Sequence, residues 1–350
     1  MSALRVLFVI PGLAEGSSMI FARRQAESLT RQGVEVDLFH LRSRTSLPEL
    51  IREWRRFRRR LRRVNPQVIH AHFGTVTACF AAWGATFAIP GRPLVITYRG
   101  SDLNPVAQGV GWRARLRAAA GRALSQLAAL RADRIVCVSS RLRQRLWWRR
   151  GNAVVLPSGV DTEVFRPEPR ERVRARLGWS AAERVVLFNA GNNPALKRLD
   201  LARKAVGLAG DLLDGVRLEV LDGRRRPDQV PELLNGADCL LLTSDQEGSP
   251  TILQEALACN LPVVSVDTGD CASRLAGVQY CSIVAREPGA IAAELARALE
   301  TPVRSNGRDK VREFSSQRIA GELRRIYLEL GAGAERTPAG TRAQASRGAR

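Results

Sequence analysis

Apolar residues in this chain follow a strand period and a helix period in alternation, and the alternation starts twice. Residues 4–10, 34–40, 68–72, 94–98, 135–138 and 153–156 read as short buried strands separated by helical stretches. The helix after residue 18 places Met19, Ala22, Ala26 and Leu29 on one face and stops at Gly33. Pro167 and Pro169 close this series, and a second follows with strands expected at 185–189, 216–221, 239–242, 263–266 and 279–284. Strands joined by helices pair in parallel as a doubly wound sheet, so the expected fold class is α/β, with two such domains facing across a cleft. The expected boundaries are residues 1–165 and 166–330. Residues 331–350 are small, polar and basic, and are expected to be disordered.

A chain of 350 residues gives each domain enough length for its own core. No apolar stretch is long enough to span a bilayer, and residues 1–10 lead into a Gly-containing turn without a signal-peptide cleavage pattern, so a cytosolic protein is expected. Cys79, Cys137, Cys239, Cys259, Cys271 and Cys281 show no C-x-x-C spacing and sit in apolar patterns, which predicts reduced core residues. The net charge of +21 lies almost wholly in one half. Residues 1–165 hold 27 Lys+Arg against 10 Asp+Glu, whereas residues 166–330 hold 24 against 23. A cationic half points to an anionic surface as partner, either membrane lipid or nucleic acid. Its densest stretch, residues 52–64, puts Trp54, Phe57, Leu61 and Val64 on one helical stripe with eight arginines around it. The stripe reads as a face packed on its own domain, while Arg55, Arg56, Arg59 and Arg63 are expected to meet an anionic leaflet, with residues 141–150 as a second contact.

The run SDQEGSPTILQEALACNLPVVS, residues 244–265, sets Glu247 in a turn and Glu255 inside a helix. Ser249 is expected to cap that helix and Pro250 to occupy its first turn. Free loop amides, a carboxylate and a helix N-terminus together suit a ligand that is both anionic and hydroxyl-rich. Three more stretches accompany this run: ADRIVCVS at 132–139, LPSGVDTEVFRP at 156–167 and NAGNNPALKRLD at 189–200. In this order and spacing the four resemble the large family of retaining glycosyltransferases that carries an E-x(7)-E signature and has the GT-B fold (family 4). Within it they resemble bacterial enzymes of envelope-polysaccharide, teichuronic-acid-type synthesis. The resemblance covers nearly all of residues 4–330 and implies two Rossmann-like domains, the first binding the acceptor and the second a nucleotide sugar.

The resemblance also implies roles. Lys197 matches the lysine that binds the donor diphosphate. Glu255 matches the ribose ligand and Glu247 the glutamate at the donor sugar. The amides of Gly248, Ser249 and Thr251 would line sugar and phosphates. A family arginine five residues before the lysine is here Asn192, an amide without charge; Arg198, next to the lysine, either stands in for it or points elsewhere if the helix has begun. Gly16 and Ser17 take the place of a Gly-Gly turn near the donor. Arg99, after the strand ending at Tyr98, stands where many relatives have histidine. It reads either as a partner for a substrate carboxylate or phosphate, or as an ion pair with Asp102. His70 and His72 point to one face of a strand, but no third ligand accompanies them, so a hydrogen-bonded wall is expected rather than a metal site. Between residues 223 and 236 the chain lacks the strand and helix that relatives use around the base, which leaves the base unread.

The implied function is metal-independent, retaining transfer from a nucleoside-diphosphate sugar to an envelope polysaccharide or a lipid-linked glycan, at the inner face of the cell membrane. No cofactor is expected beyond the donor itself. An arginine-rich nucleic-acid-binding protein is the competing reading, weakened by the lack of exposed aromatic platforms, and a GT-B sugar-nucleotide epimerase is the third.

Overall fold

The computed structural model describes residues 3–14, 19–105, 111–301 and 303–335, which divide into two compact units, Met1–Gly159 with Gln317–Arg350 and Val160–Ser316. In the first unit, β1 (Leu4–Pro11), β2 (Val34–Leu41), β3 (Val68–His72), β4 (Leu94–Tyr98), β5 (Arg134–Cys137) and β6 (Ala153–Val155) form one parallel six-stranded sheet in the order β2-β1-β3-β4-β5-β6. Strands β3 and β4 are buried at every position, as are the last six residues of β1, which is why they are mainly apolar, with His70, His72 and Thr97 as the polar exceptions.

Alternate residues of these strands feed two separate cores. Leu7, Val9, Ile69, Ile96 and Ile135 face one, which is covered by Phe57 and Leu61 of the helix Leu47–Val64 and by Phe80 of the helix Thr75–Trp83. Val6, Phe8, Val68, Val95 and Val136 face the other, under Ala22 and Leu29 of the helix Ile20–Thr30. The remaining cover comes from the far end of the chain: the helix Ser316–Glu335 buries Ile319, Leu323, Ile326 and Tyr327 on this same core.

That placement changes the expected domain boundaries. The division falls after residue 159 rather than 165, and residues 317–330, assigned to the second domain from the sequence, belong to the first unit. Helical periodicity reveals that such a helix has an apolar face but not which sheet receives it. The helix also continues through Glu335, so residues 331–335, expected in the disordered tail, are helical. Residues 336–350 lie outside the described residues.

The second unit holds β7 (Arg184–Asn189), β8 (Val216–Leu221), β9 (Cys239–Leu242), β10 (Val263–Val266) and β11 (Ser282–Val284) in a parallel sheet ordered β11-β10-β9-β7-β8. Between β8 and β9 there is only the turn Pro227–Gln229 and the helix Val230–Gly236, which leaves β8 as the sheet's edge strand. Arg174 and Asp238, both buried, pair beneath the sheet, and Asp238 also accepts the Val185 amide at 2.7 Å, fixing the start of β7. The chain's entry into and exit from this unit are bonded to each other, Val160 N to Phe314 O at 3.0 Å and Ser316 N to Val160 O at 2.8 Å. All six cysteines are free, four of them buried, and burial pushes their thiol pKa values up, that of Cys137 to about 12.

The carboxyl-terminal helix is anchored by one polar contact inside its apolar face: Tyr327 Oη lies 2.5 Å from His70 Nδ1, while His70 Nε2 lies 2.7 Å from Thr97 Oγ1. Tyr327→Phe keeps the ring and leaves one imidazole nitrogen buried without a partner. The expected loss is about 1–3 kcal/mol of stability, measured by urea denaturation. An unchanged midpoint would show that the helix does not depend on this contact.

Candidate functional site

Strand order in the second unit reverses at β7, which has β8 on one side and β9 on the other. Loops leaving the carboxyl ends of two such strands diverge and open a crevice, the usual ligand position in an open α/β sheet. The loop after β7 carries Lys197 and the loop after β9 carries Glu247. Their side chains meet: Lys197 Nζ pairs with Glu247 Oε1, which also accepts Ser244 Oγ at 2.7 Å. Both side chains remain partly accessible, 21% and 13%.

Local chemistry fixes the first loop. Gly191 takes a left-handed conformation (φ +50°), and Asn193 Oδ1 accepts the Leu196 amide at 3.1 Å to start the single helical turn Pro194–Lys197. Arg198, at φ +58°, ends that turn and begins the helix Leu199–Gly210. The two loops are then stitched together. Thr243 Oγ1 donates to Lys197 O at 2.9 Å, and the Asp245 amide donates to Leu196 O at 2.9 Å. Lys197 is thus the last residue of a short, clamped turn. Arg198 follows it, with its guanidinium held by Asp200 and Asp245, which raises its pKa further. That guanidinium is thus engaged by carboxylates of the protein itself. Asn192 is exposed and leans over Gly223, where an added Cβ would lie 2.5 Å from its Oδ1.

The run 244–265 folds as a loop and then a helix, but its start differs from expectation. The helix is Thr251–Ala258, Pro250 occupies the N-cap position, and Ser249 does not cap it. Ser249 Oγ instead donates to Asp270 Oδ2 at 2.9 Å, because the loop after β10 folds against it. Gly269 allows that approach: at φ +57°, a Cβ there would come within 2.8 Å of Glu247 Cβ and 3.1 Å of Gly248 O. Gly248 is buried in this contact. Within the helix only Thr251 and Glu255, one turn apart, are not buried, so they present one face. Gln254 Oε1, Thr268 Oγ1 and Asp270 Oδ1 are buried around the same loops without a hydrogen-bond partner.

Sequence reading missed Asp245, Asp270 and Arg286. Asp245 gathers Arg198 and Arg286, the latter at 2.8 Å, and Arg286 also donates to Thr243 O at 3.1 Å. Arg286 comes from the end of β11, 41 residues away, and no local pattern links the two.

In the first unit, Gly16 and Ser17 lie outside the described residues. Arg99 follows β4, and its guanidinium donates to Ser158 Oγ and His72 Nδ1, both at 2.9 Å, with Phe21 beneath it at 3.9 Å. The ion pair with Asp102 does not form. Asp102 is fully buried and accepts the amides of Gly74, Arg99 and Gly100 at 2.8–3.1 Å. Burial pulls the Arg99 pKa down to about 9, against the upward pull of Asp102 and Tyr327, which leaves it charged at neutral pH. His70 and His72 are fully buried with ring centroids 4.0 Å apart, tilted by 33°, and burial lowers both pKa values well below the usual range, so both are neutral. Among the described residues no group of three or more His, Cys, Asp or Glu side chains is placed to hold a metal.

Of the arginines expected to face a membrane, Arg55, Arg59 and Arg63 are exposed and have no ion-pair partner among the described residues. Arg56 does not join them. It donates to His40 O and the Glu53 carboxylate and lies 4.3 Å over Phe39, on the helix's inner flank.

Residues 17–164 match the Glycosyltransferase Family 4 family model, and residues 171–301 match that of Glycosyl transferases group 1. A putative teichuronic acid biosynthesis glycosyltransferase, TuaC of Bacillus subtilis, is 28% identical over 250 residues, 66% of this chain and 61% of that protein. The chain thus spans about six-tenths of the length of that relative. Among solved structures, sucrose-phosphate synthase from Thermosynechococcus elongatus superposes with a TM-score of 0.69 at 17% identity, over 95% of this chain and 100% of the other. Anabaena Alr3699/HepE in complex with UDP-glucose superposes with a TM-score of 0.68 at 16% identity, over 93% and 100%. Two doubly wound sheets, a paired lysine and glutamate at the second switch point and these two adjoining family matches lead to one conclusion: the chain belongs to the glycosyltransferases with the GT-B fold.

Proposed function

We propose that the protein transfers a sugar from a nucleoside diphosphate to an envelope polysaccharide or lipid-linked glycan, with retention and without a metal, at the inner face of the cell membrane. The observation that carries this reading is the Lys197–Glu247 pair at the β7–β9 switch point, next to the N-terminus of the helix Thr251–Ala258. An ammonium has three N–H donors, so Lys197 can keep Glu247 and still face a phosphate oxygen. Its fixed charge, with the loop amides of Gly248, Ser249 and Thr251, would oppose the charge that grows on the departing diphosphate. Glu255, on the open face of the helix, accepts the two ribose hydroxyls, and Glu247 orients the donor sugar. As the bond from C1 to the β-phosphate oxygen breaks, that oxygen takes the proton of the acceptor hydroxyl. The acceptor oxygen then bonds to C1 from the same face, and no enzyme nucleophile is needed.

The HepE structure, a GT-B neighbour, carries UDP-glucose, which supports a nucleotide sugar as the donor class. The relation to a putative teichuronic acid enzyme supports an envelope polysaccharide as acceptor. Arg99, charged and without a carboxylate ion pair among the described residues, supports an acidic group on donor or acceptor. No helix among the described residues is long and apolar enough to cross a membrane, so the proposed membrane association is peripheral.

A set of UDP-, GDP- and ADP-sugars tested for thermal stabilisation identifies the donor, because a ligand at a hundred times its Kd adds about 2.7 kcal/mol. No shift with any of them would remove the donor reading. With the donor identified, Glu255→Ala is expected to weaken nucleotide binding about 10- to 100-fold, since a hydrogen bond to a charged group is lost in ground and transition states alike. Glu247→Ala is expected to lower kcat more than it raises KM, and full activity in both variants would refute the assignment. Activity should also survive EDTA. Loss on chelation that magnesium or manganese restores would show that the diphosphate needs a metal that Lys197 does not replace.

A further inference from the structure

The outer side of the first unit carries an apolar groove of about 310 Å³. Leu50, Ile51 and Trp54 of the helix Leu47–Val64 form one wall, and Val76, Phe80 and Trp83 of the helix Thr75–Trp83 form the other. Phe57 closes the packing between these elements: a Cβ on Gly84 would lie 2.4 Å from its ring. The rim is exposed, with Leu47 at 70%, Ile51 at 49% and Trp83 at 64%, and Phe87, one turn beyond Trp83, is 70% exposed. A volume of about 150 Å³ holds a benzene ring, so this groove has the volume of roughly a dozen carbon atoms. Exposed apolar surface of this kind, concentrated in one place, marks a binding surface.

Charge identifies the occupant. Leu47, Ile51 and Trp54 form one line along their helix, and helical spacing continues that line into Arg58, with Arg55 and Arg62 flanking it. All three arginines are exposed, and none has an ion-pair partner among the described residues. Arg58 lies one turn beyond Trp54, and Arg55 one turn beyond Ile51, on the same side of the helix. The groove is therefore apolar inside and cationic at one end. An apolar peptide would fill the groove but leave three unpaired cations at its mouth. A nucleic acid would satisfy the cations but not the groove. We propose that the groove takes one hydrocarbon chain of an anionic phospholipid at a bilayer surface, with Arg55, Arg58 and Arg62 at its phosphate.

This deepens the reading above, on which it rests for its purpose: it would hold the enzyme where a lipid-linked acceptor is found. It also differs from a purely electrostatic contact, because it requires a chain of limited length. The experiment uses alkyl phosphates below their micelle concentrations, read by the fluorescence of the protein. Trp54 and Trp83, with ring centroids 6.4 Å apart, line the groove as reporters. Affinity should rise about fourfold per methylene and level off near ten to twelve carbons. Decanol and inorganic phosphate should bind far more weakly than decyl phosphate. Replacing Arg55, Arg58 and Arg62 by Gln should weaken decyl phosphate roughly a hundredfold at low salt. Ile51→Glu, on the exposed rim, should remove the chain-length dependence. Vesicles of phosphatidylglycerol with brominated chains should quench the tryptophans of the wild type, and less so those of Trp83→Leu. A flat chain-length series, equal binding of decanol, or unquenched vesicle binding would overturn the proposal. Each variant is also tested for nucleotide-sugar stabilisation. Retained stabilisation shows the variant is folded, and its absence in the wild type would refute the donor reading while leaving the groove result standing.

Discussion

A parallel strand buried on both faces leaves polar chemistry only one outlet, the loop at its carboxyl end. The candidate donor site is arranged by that constraint. In the second unit it brings the loops after β7 and β9 side by side, and the Lys197–Glu247 pair forms where they meet. The loops are not held by apolar packing. Thr243 donates to the Lys197 carbonyl, the Asp245 amide donates to the Leu196 carbonyl, and Ser249 ties the next loop through Asp270. Each bond uses a backbone group or a short side chain with few rotamers, which is how a loop acquires the rigidity of its scaffold. In the first unit the same constraint places Asp102 after β4, where it collects three amides and shapes the turn that carries Arg99.

Charge is distributed by a second logic. Arginines of the second unit are largely matched: Arg174 with Asp238, Arg217 with Glu183 and Glu219, Arg226 with Asp228. In the first unit some arginines hold structure, as Arg60 does on Asp37 and Arg131 on Asp133 and the Ala85 carbonyl. On the outer face of the helix Leu47–Val64, Arg55, Arg58, Arg59, Arg62 and Arg63 have no acidic partner among the described residues. The excess of 27 basic over 10 acidic residues in the first 165 thus survives folding as a surface property instead of being absorbed into ion pairs. Exposed arginines without an ion-pair partner among the described residues share the helix with exposed Leu47 and Ile51, so that surface is both cationic and apolar. Solubility alone asks for neither.

Much of this was legible beforehand. Ten of the eleven strands lie within one or two residues of the positions expected from apolar runs, and the eleventh, at 282–284, is shorter at its start, where Tyr280 turns at φ +59°. The family was legible because E-x(7)-E and the stretches at 132–139, 156–167 and 189–200 are contiguous motifs. Where reading failed, the deciding partner was distant. Ser249 has the chemistry of a helix cap, yet the loop from Asp267 to Asp270 competes for its hydroxyl and wins. Arg198 was open to two readings, and its partners Asp200 and Asp245 were not evident from its place beside Lys197. Arg56 counted as one of a row of like charges until Glu53, His40 and Phe39 were found to hold it.

The sequence by itself determined the fold class, the two-fold repetition of the sheet and the family. These depend on periodicity and on motifs that lie within a few turns of chain. Only the tertiary structure decided that the helix Ser316–Glu335 returns to the first unit, that Asp102 spends its charge on amides and not on Arg99, and that Arg286 braces a loop 41 residues away. The physical reason is the same in each case. A polar group pairs with whatever donor or acceptor the packed core brings within about 3 Å, and an apolar face packs on whichever sheet is left uncovered. Neither partner is a neighbour in sequence.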